Sequence, residues 1–205
     1  FLNGLWGTLW LAFVTVLFGT ILGTLVALLR LSRCKVFQAL TGAYIEVLRG
    51  TPILLQLYFF WLLLPKVLPF KVSDTACIIV ALVINSSSYV AEVIRAGIQA
   101  VDKGQMEAAK SLGLSNKNAM RYVILPQAVK NILPALGNEF VVMVKETSLA
   151  SVFFVGELMT SYKTVQSTTF LAIPSLTIVG IIYFILNFIL TKILKVVERR
   201  LQASD

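Results

Sequence analysis

Three carboxylates and one ammonium stand inside stretches that are otherwise apolar: Glu92, Glu139, Glu146 and Lys145. Charges in such surroundings are costly unless they face a cavity or a partner, so each is a candidate for holding or passing a polar solute. Asn85, Ser88 or Tyr89, and Glu92 follow at i, i+3/i+4 and i+7, which makes one polar stripe on a helix, and Gln99 extends it. Glu139 and Glu146 are also seven apart, about 10 Å along one face. Lys145 adjoins Glu146 and so points elsewhere, toward another helix or a group of the solute. The competing chemistry is purely structural: Glu92 pairs with Arg95 one turn on, and Lys145 with a neighbouring Glu. Catalysis has little to work with. There is no histidine, hence no His-dependent triad and no His metal site. No base accompanies Ser86–Ser88, and no GxxxxGK[ST] phosphate loop occurs. Cys34 lies among basic residues and Cys77 opens an apolar run, so both are read as separate thiols.

The elements that must position these groups follow from composition. Of 205 residues, 58% are hydrophobic and 14% charged, and mean hydropathy is +0.85. Soluble chains carry about 45–50% apolar and about 25% charged residues. Disordered, coiled-coil, collagenous and disulfide-scaffold classes are excluded, and an all-α integral membrane protein remains. A bilayer core of about 30 Å needs about 20 helical residues. Five transmembrane helices are expected, at about 5–29, 44–64, 74–100, 131–155 and 171–192, forming a single domain over residues 1–205. The first carries Gly19 and Gly23 at the spacing for close helix contact, and is too long for a signal-peptide apolar region. The second spans only if Ile53–Leu64 is extended backward through Tyr44–Pro52, which draws Glu46 and Arg49 to the membrane edge. The third is interrupted by Asn85–Ser88; the fifth tolerates Pro174 in its first turn.

The net charge of +8 then becomes an orientation signal. Of 18 Lys and Arg, 14 follow the first, third and fifth spans; Lys66, Lys71 and Lys163 fall on the other side, and Lys145 lies within a span. The positive-inside rule puts the amino terminus outside and the carboxyl terminus in the cytoplasm. Charge dispersed over three loops beside membrane spans argues against a nucleic-acid surface. Phe59, Phe60 and Trp61 could narrow a pathway or pack at the interface.

The cytoplasmic loop 101–130 is the longest polar stretch. Its residues from Gln105 to Leu112 are good helix formers, Gly113 suits the helix end, and a second short helix is expected from Asn116 to Leu125, stopped by Pro126. Met106, Ala109, Leu112 and Gly113 give the first helix one small apolar face, suited to a partner's groove or to lipid headgroups.

Glu107-Ala108-Ala109, then Gly113, then Leu125-Pro126, resembles the EAA loop of ABC-transporter membrane subunits, with Val123 where Ile is usual. Arg49-Gly50-Thr51-Pro52, the stretch Tyr89–Gly97, and Lys145–Leu149 resemble the polar-amino-acid permease family of ABC importers, of the histidine, arginine and glutamine type. The four stretches come in the family's order over nearly the whole chain. This resemblance implies a type I importer permease fold in a bacterial inner membrane, with no catalytic residue or cofactor of its own. It also implies two cytoplasmic ATP-binding subunits that hold ATP and Mg, a second permease subunit (copy or paralogue), and an external solute-binding protein. By the same likeness Gln105, Glu107, Ala108, Ala109, Leu112 and Gly113 form the coupling contacts with the ATPase. Arg49 with Pro52 reads either as a cytoplasmic-end element, belonging with Tyr89 to a gate or pathway, or as an ordinary positive-inside anchor. An amino acid needs donors for its carboxylate and acceptors for its ammonium, so substrate contact is expected from Asn85, Ser87, Ser88, Glu92, Glu139, Glu146 and Lys145. The surplus of carboxylates over Lys145 leans toward a basic amino acid. A secondary transporter or channel using the same carboxylates is the competing class, though no motif occurs twice as internal repeats would require. An intramembrane hydrolase is the third.

Overall fold

The computed structural model describes residues 1–202, which are helical almost throughout. The chain opens with α1 (Leu2–Arg30), whose 29 residues reach about 44 Å. Then come α2 (Lys35–Gly50) and α3 (Ile53–Val67), set at 111° to each other. Pro52 makes that corner. A proline crowds the residue before it out of the helical region, and Thr51 is extended, with φ −118° and ψ 147°. The expected span 44–64 is therefore not one helix but two half-helices meeting at an elbow.

Next is α4 (Asp74–Gln99), started by Ser73, whose hydroxyl accepts from Ala76 N–H at 3.2 Å. It runs unbroken through the polar group that should have interrupted it. Serine hydroxyls inside a helix can be satisfied by its own carbonyls. Ser87 donates to the Ile84 carbonyl at 2.7 Å and Ser88 to that of Asn85 at 2.7 Å.

Polar caps punctuate the loop. Asp102 accepts from Gly104 N–H at 2.6 Å and begins α5 (Lys103–Ser111), and Gly113 takes a left-handed φ of +85° where the chain turns away. Ser115 caps α6 (Asn116–Ala119), which continues through a π turn at Met120–Ile124 into α7 (Leu125–Glu146). The helix expected to stop at Pro126 does not stop. Pro126 falls in the first turn of α7, where a missing N–H costs little, directly after the wider π turn. A 3-10 turn (Thr147–Phe153), α8 (Leu158–Thr169) and α9 (Ala172–Gln202) complete the order.

Among the described residues α1, α4 and α9 are long and apolar enough to cross a membrane, and α2 with α3 adds a fourth crossing if the bent pair is one span. α7, the element behind the expected span 131–155, has the length at 22 residues but is not among the helices apolar enough to cross. It also ends at Glu146 rather than continuing to Val155.

α1 and α4 form the axis. Gly19 and Gly23 lie against α4 so closely that an added Cβ would sit 2.8 Å from the Ser86 hydroxyl and 2.7 Å from the Ser87 carbonyl. The spacing read as a contact motif is one. Leu11, Leu57, Ile78, Leu82 and Phe153 bind α1, α3, α4 and the 3-10 turn together. Val26, Ala27, Ile45 and Ala91 tie in α2, while Ala12, Met143 and Val144 tie in α7. α9 leans outside, with Ile181, Phe184, Ile185, Phe188 and Ile189 exposed, as a lipid-facing helix would be. Cys34 is exposed, Cys77 is buried, and both are free thiols.

Candidate functional site

The elbow, α4 and α7 meet around a cavity of about 280 Å³, walled by Thr51, Pro52, Ile53, Asn85, Tyr89, Glu139, Val142, Met143 and Glu146. Gln56, only 5% exposed, holds the elbow shut. Its amide donates to the Leu48 carbonyl at 2.7 Å and to the Thr51 hydroxyl at 2.8 Å, and its carbonyl accepts from Asn85 at 2.8 Å. One buried amide thus joins the end of α2, the start of α3 and the middle of α4, which satisfies polar groups that hydrocarbon could not. Gln56 had an available signal, as the lone amide in the apolar run 53–64, but its place at the cavity needed the bend.

Two carboxylates enter this space from α7. Glu139 is 7% exposed and accepts from the Ser86 hydroxyl at 3.1 Å. Glu146 is half-buried and has no hydrogen-bond or ion-pair partner among the described residues. No Lys or Arg lines the cavity. Opposite, α3 begins at the wall without a side-chain cap, so its first-turn N–H groups present the positive end of a helix dipole. One side attracts cations and the other anions.

Of the expected substrate residues, Asn85, Glu139 and Glu146 come together here, with Tyr89 and Pro52 as walls. Ser87 and Ser88 do not. Both are fully buried, Ser87 against the Tyr44 hydroxyl at 2.6 Å and Ser88 against its own helix. Glu92 is also elsewhere. It pairs with Arg95, whose Nε donates at 2.9 Å, in a second cavity of about 620 Å³ toward the loop end. The structural alternative for Glu92 is the arrangement found. Lys145 turns away from Glu146 into a separate recess with Ser148, Val152, Met159 and Tyr183. Arg49 stands between the two cavities, its guanidinium 5.3 Å from the centre of the Tyr89 ring.

On the loop, Gln105, Glu107, Ala108, Leu112 and Gly113 are exposed, Leu112 to 84%. Ala109 is not. It is buried within the chain's own fold, and Met106 beside it packs on Val101, Ile124 and Ala128, so the small apolar face seats α5. A further buried acid, Glu157, was not singled out from the sequence. Fully buried, it accepts from Met159 N–H at 2.7 Å, Thr160 N–H at 2.6 Å and the Tyr183 hydroxyl at 3.1 Å, fastening α8 to α9. Burial pushes its carboxyl above the usual range, against the opposing pull of those two N–H groups. Its signal was that of a helix N-cap, which an acid after Gly156 fits.

A bundle of apolar helices, broken at an acidic cavity and carrying an exposed loop helix, is a non-catalytic membrane permease subunit of the ABC-transporter type. The chain belongs to the family of binding-protein-dependent transport system inner membrane components, whose model matches residues 4–203. It is 41% identical over 204 residues to the arginine transport system permease protein ArtQ of Bacillus subtilis (strain 168), covering 100% of this chain and 93% of that one. The probable glutamine ABC transporter permease protein GlnM of the same organism is 38% identical over 205 residues, covering 100% and 94%. Among solved structures, an amino acid ABC transporter crystallised with histidines matches at a TM-score of 0.93 and 45% identity, over 97% of this chain and 92% of that one.

Proposed function

We propose that this chain passes amino acids, basic ones by preference, through a bilayer as the permease of an ATP-driven importer working by alternating access. The observation that carries the reading is the cavity of about 280 Å³ lined by Glu139 and Glu146 and by no cation. A basic amino acid offers two positive groups and one carboxylate. The two glutamates match the former, and the uncapped start of α3 matches the latter. The relatives described as carrying arginine and glutamine support the substrate class. Arg49 stacked on Tyr89 closes the cavity toward the loop and acts as its gate. Two ATPase subunits, which bind ATP and Mg, dock on the exposed Glu107, Ala108 and Leu112. A second permease subunit and an external solute-binding protein complete the assembly. The loop faces the cytoplasm and the amino terminus the outside, as the distribution of Lys and Arg supports.

The complex purified with its co-expressed neighbours and reconstituted in vesicles tests this. Arginine uptake should exceed glutamine uptake, and Glu139→Gln or Glu146→Gln should narrow that ratio. An unchanged ratio in both variants removes the electrostatic basis for a basic substrate.

A further inference from the structure

The cavity of about 620 Å³ follows the acidic one along α4. Asn85 and Tyr89 line the first; Glu92, Arg95 and Gln99, further down the same stripe, line the second. One helical face therefore runs past both, with Arg49 and Tyr89 at the junction. The charges of the second cavity are unlike those of the first. Arg95 is engaged by Glu92 and Gln99. Arg30, at the end of α1, donates one nitrogen to the Gln38 carbonyl and lies over Gly42, where any side chain would collide with it. Among the described residues neither Arg30 nor Arg49 is in an ion pair, and neither is Glu46, one turn before Arg49 on α2 and lining the same cavity. A carbonyl, a glycine gap and an aromatic ring thus hold two guanidiniums in place, in the field of the Glu92 carboxylate but not paired with it, so their forks are open to a second acceptor.

Resting on the amino-acid reading above, we infer that this cavity is a second substrate site, on the loop side of the gate, where Arg30 and Arg49 take the amino acid's α-carboxylate. A guanidinium fork suits a carboxylate, and Glu46 supplies an acceptor for the positive groups that a simple anion lacks. The first site holds the positive groups with two carboxylates and the carboxylate only with helix N–H groups, whereas the second offers two guanidiniums to the carboxylate, so passage through the gate shifts the stronger hold from one end of the substrate to the other. The consequence is product inhibition. An amino acid that accumulates on the loop side re-enters the second site, sits against Arg49 and keeps the gate from resetting.

Vesicles holding the whole transporter, with ATP enclosed so that only complexes with an inward-facing loop work, provide the test. The lumen is preloaded with unlabelled arginine, with agmatine (arginine without its carboxylate), with inorganic phosphate, or with none of these, and the initial rate of labelled arginine import is read. Luminal arginine should slow import several-fold, agmatine and phosphate should not, and Arg30→Gln should abolish the slowing, judged as a ratio within each preparation. If Arg30→Gln does not assemble, Arg30→Lys, which keeps the charge without the fork, should weaken the slowing. No effect of luminal arginine overturns the site. Equal slowing by agmatine or by phosphate overturns the carboxylate assignment. Absence of arginine import into the empty lumen is a failure of the transport reading itself, and the second site falls with it.

Discussion

The acidic cavity, walled by the elbow, α4 and α7, and the coupling loop that joins α4 to α7 are built on opposite terms. At the cavity, the buried polar side chains are answered one by one, Gln56 by Leu48, Thr51 and Asn85, and Glu139 by Ser86, and only the half-buried Glu146 is left to the cavity itself. On the loop, polar side chains are exposed, and what is buried is small and apolar, Ala109 and Ala119. Removing a partner inside a bilayer leaves a group that neither protein nor solvent can satisfy, while removing one on the loop hands it to water. Interior substitutions should therefore register first as lost stability, and loop substitutions as lost assembly on a stable fold.

The largest effect that separates the two regions is expected at Gln56. Gln56→Leu deletes the acceptor of Asn85 and two donors of the elbow together, and should cost about 2–4 kcal/mol, or the fold outright. Thermal unfolding of the detergent-purified complex measures it. A loss no greater than that of a loop substitution would erase the contrast.

Glu157 comes second, because four donors converge on it, the Thr160 hydroxyl included, but two are helix N–H groups that a neutral acceptor can still meet. Glu157→Gln should cost about 1–2 kcal/mol. It carries a pH signature as well. The folded state holds the Glu157 proton above the usual carboxylate range, so it binds that proton more tightly than the unfolded chain does. This contribution is full below the ordinary carboxylate pKa and is lost as pH rises through the raised one. Unfolding temperatures followed across that interval should fall for the parent protein and stay flatter for Glu157→Gln; parallel curves would show that the proton plays no part.

The same contrast explains what was legible in the sequence. Glu139, Glu146 and Asn85 stood out because charge and amide in an apolar run are conspicuous, and their spacing gave one face. Ser87 and Ser88 had the same conspicuousness, but serine can return its hydroxyl to its own helix, and spacing does not reveal which choice is taken. The elbow was hidden for a related reason. Tyr44–Leu64 has the composition of one span, and the local clash before Pro52 decides that it is two half-helices at 111°. Glu92 illustrates competition at close range: the stripe placed it beside the polar group of the first cavity, and the structure pairs it with Arg95 one turn away in the wall of the second. On the loop, the helix and its end at Gly113 were readable from propensity. Ala109 is buried beside Met106, whose packing on Ile124 and Ala128 draws on later elements that periodicity alone does not bring near.

The smallest stability change, and the clearest test of the loop's side of the comparison, is expected at Leu112. It is 84% exposed on a helix whose neighbouring apolar residues turn inward, so it contributes almost nothing to its own chain. Leu112→Ser should leave unfolding within about 0.5 kcal/mol of the parent. If the exposed side of α5 is what the ATPase grips, the same substitution should lower the fraction of ATPase retained on purification, and Glu107→Lys should lower it further by reversing a charge at the contact. Ala109→Ser differs in kind: a hydroxyl placed at this buried position should loosen α5 and reduce stability along with retention. If Leu112→Ser and Ala109→Ser lose stability equally, the exposed and buried sides of α5 are not distinct, and the docking surface assigned to Glu107, Ala108 and Leu112 has to be redrawn.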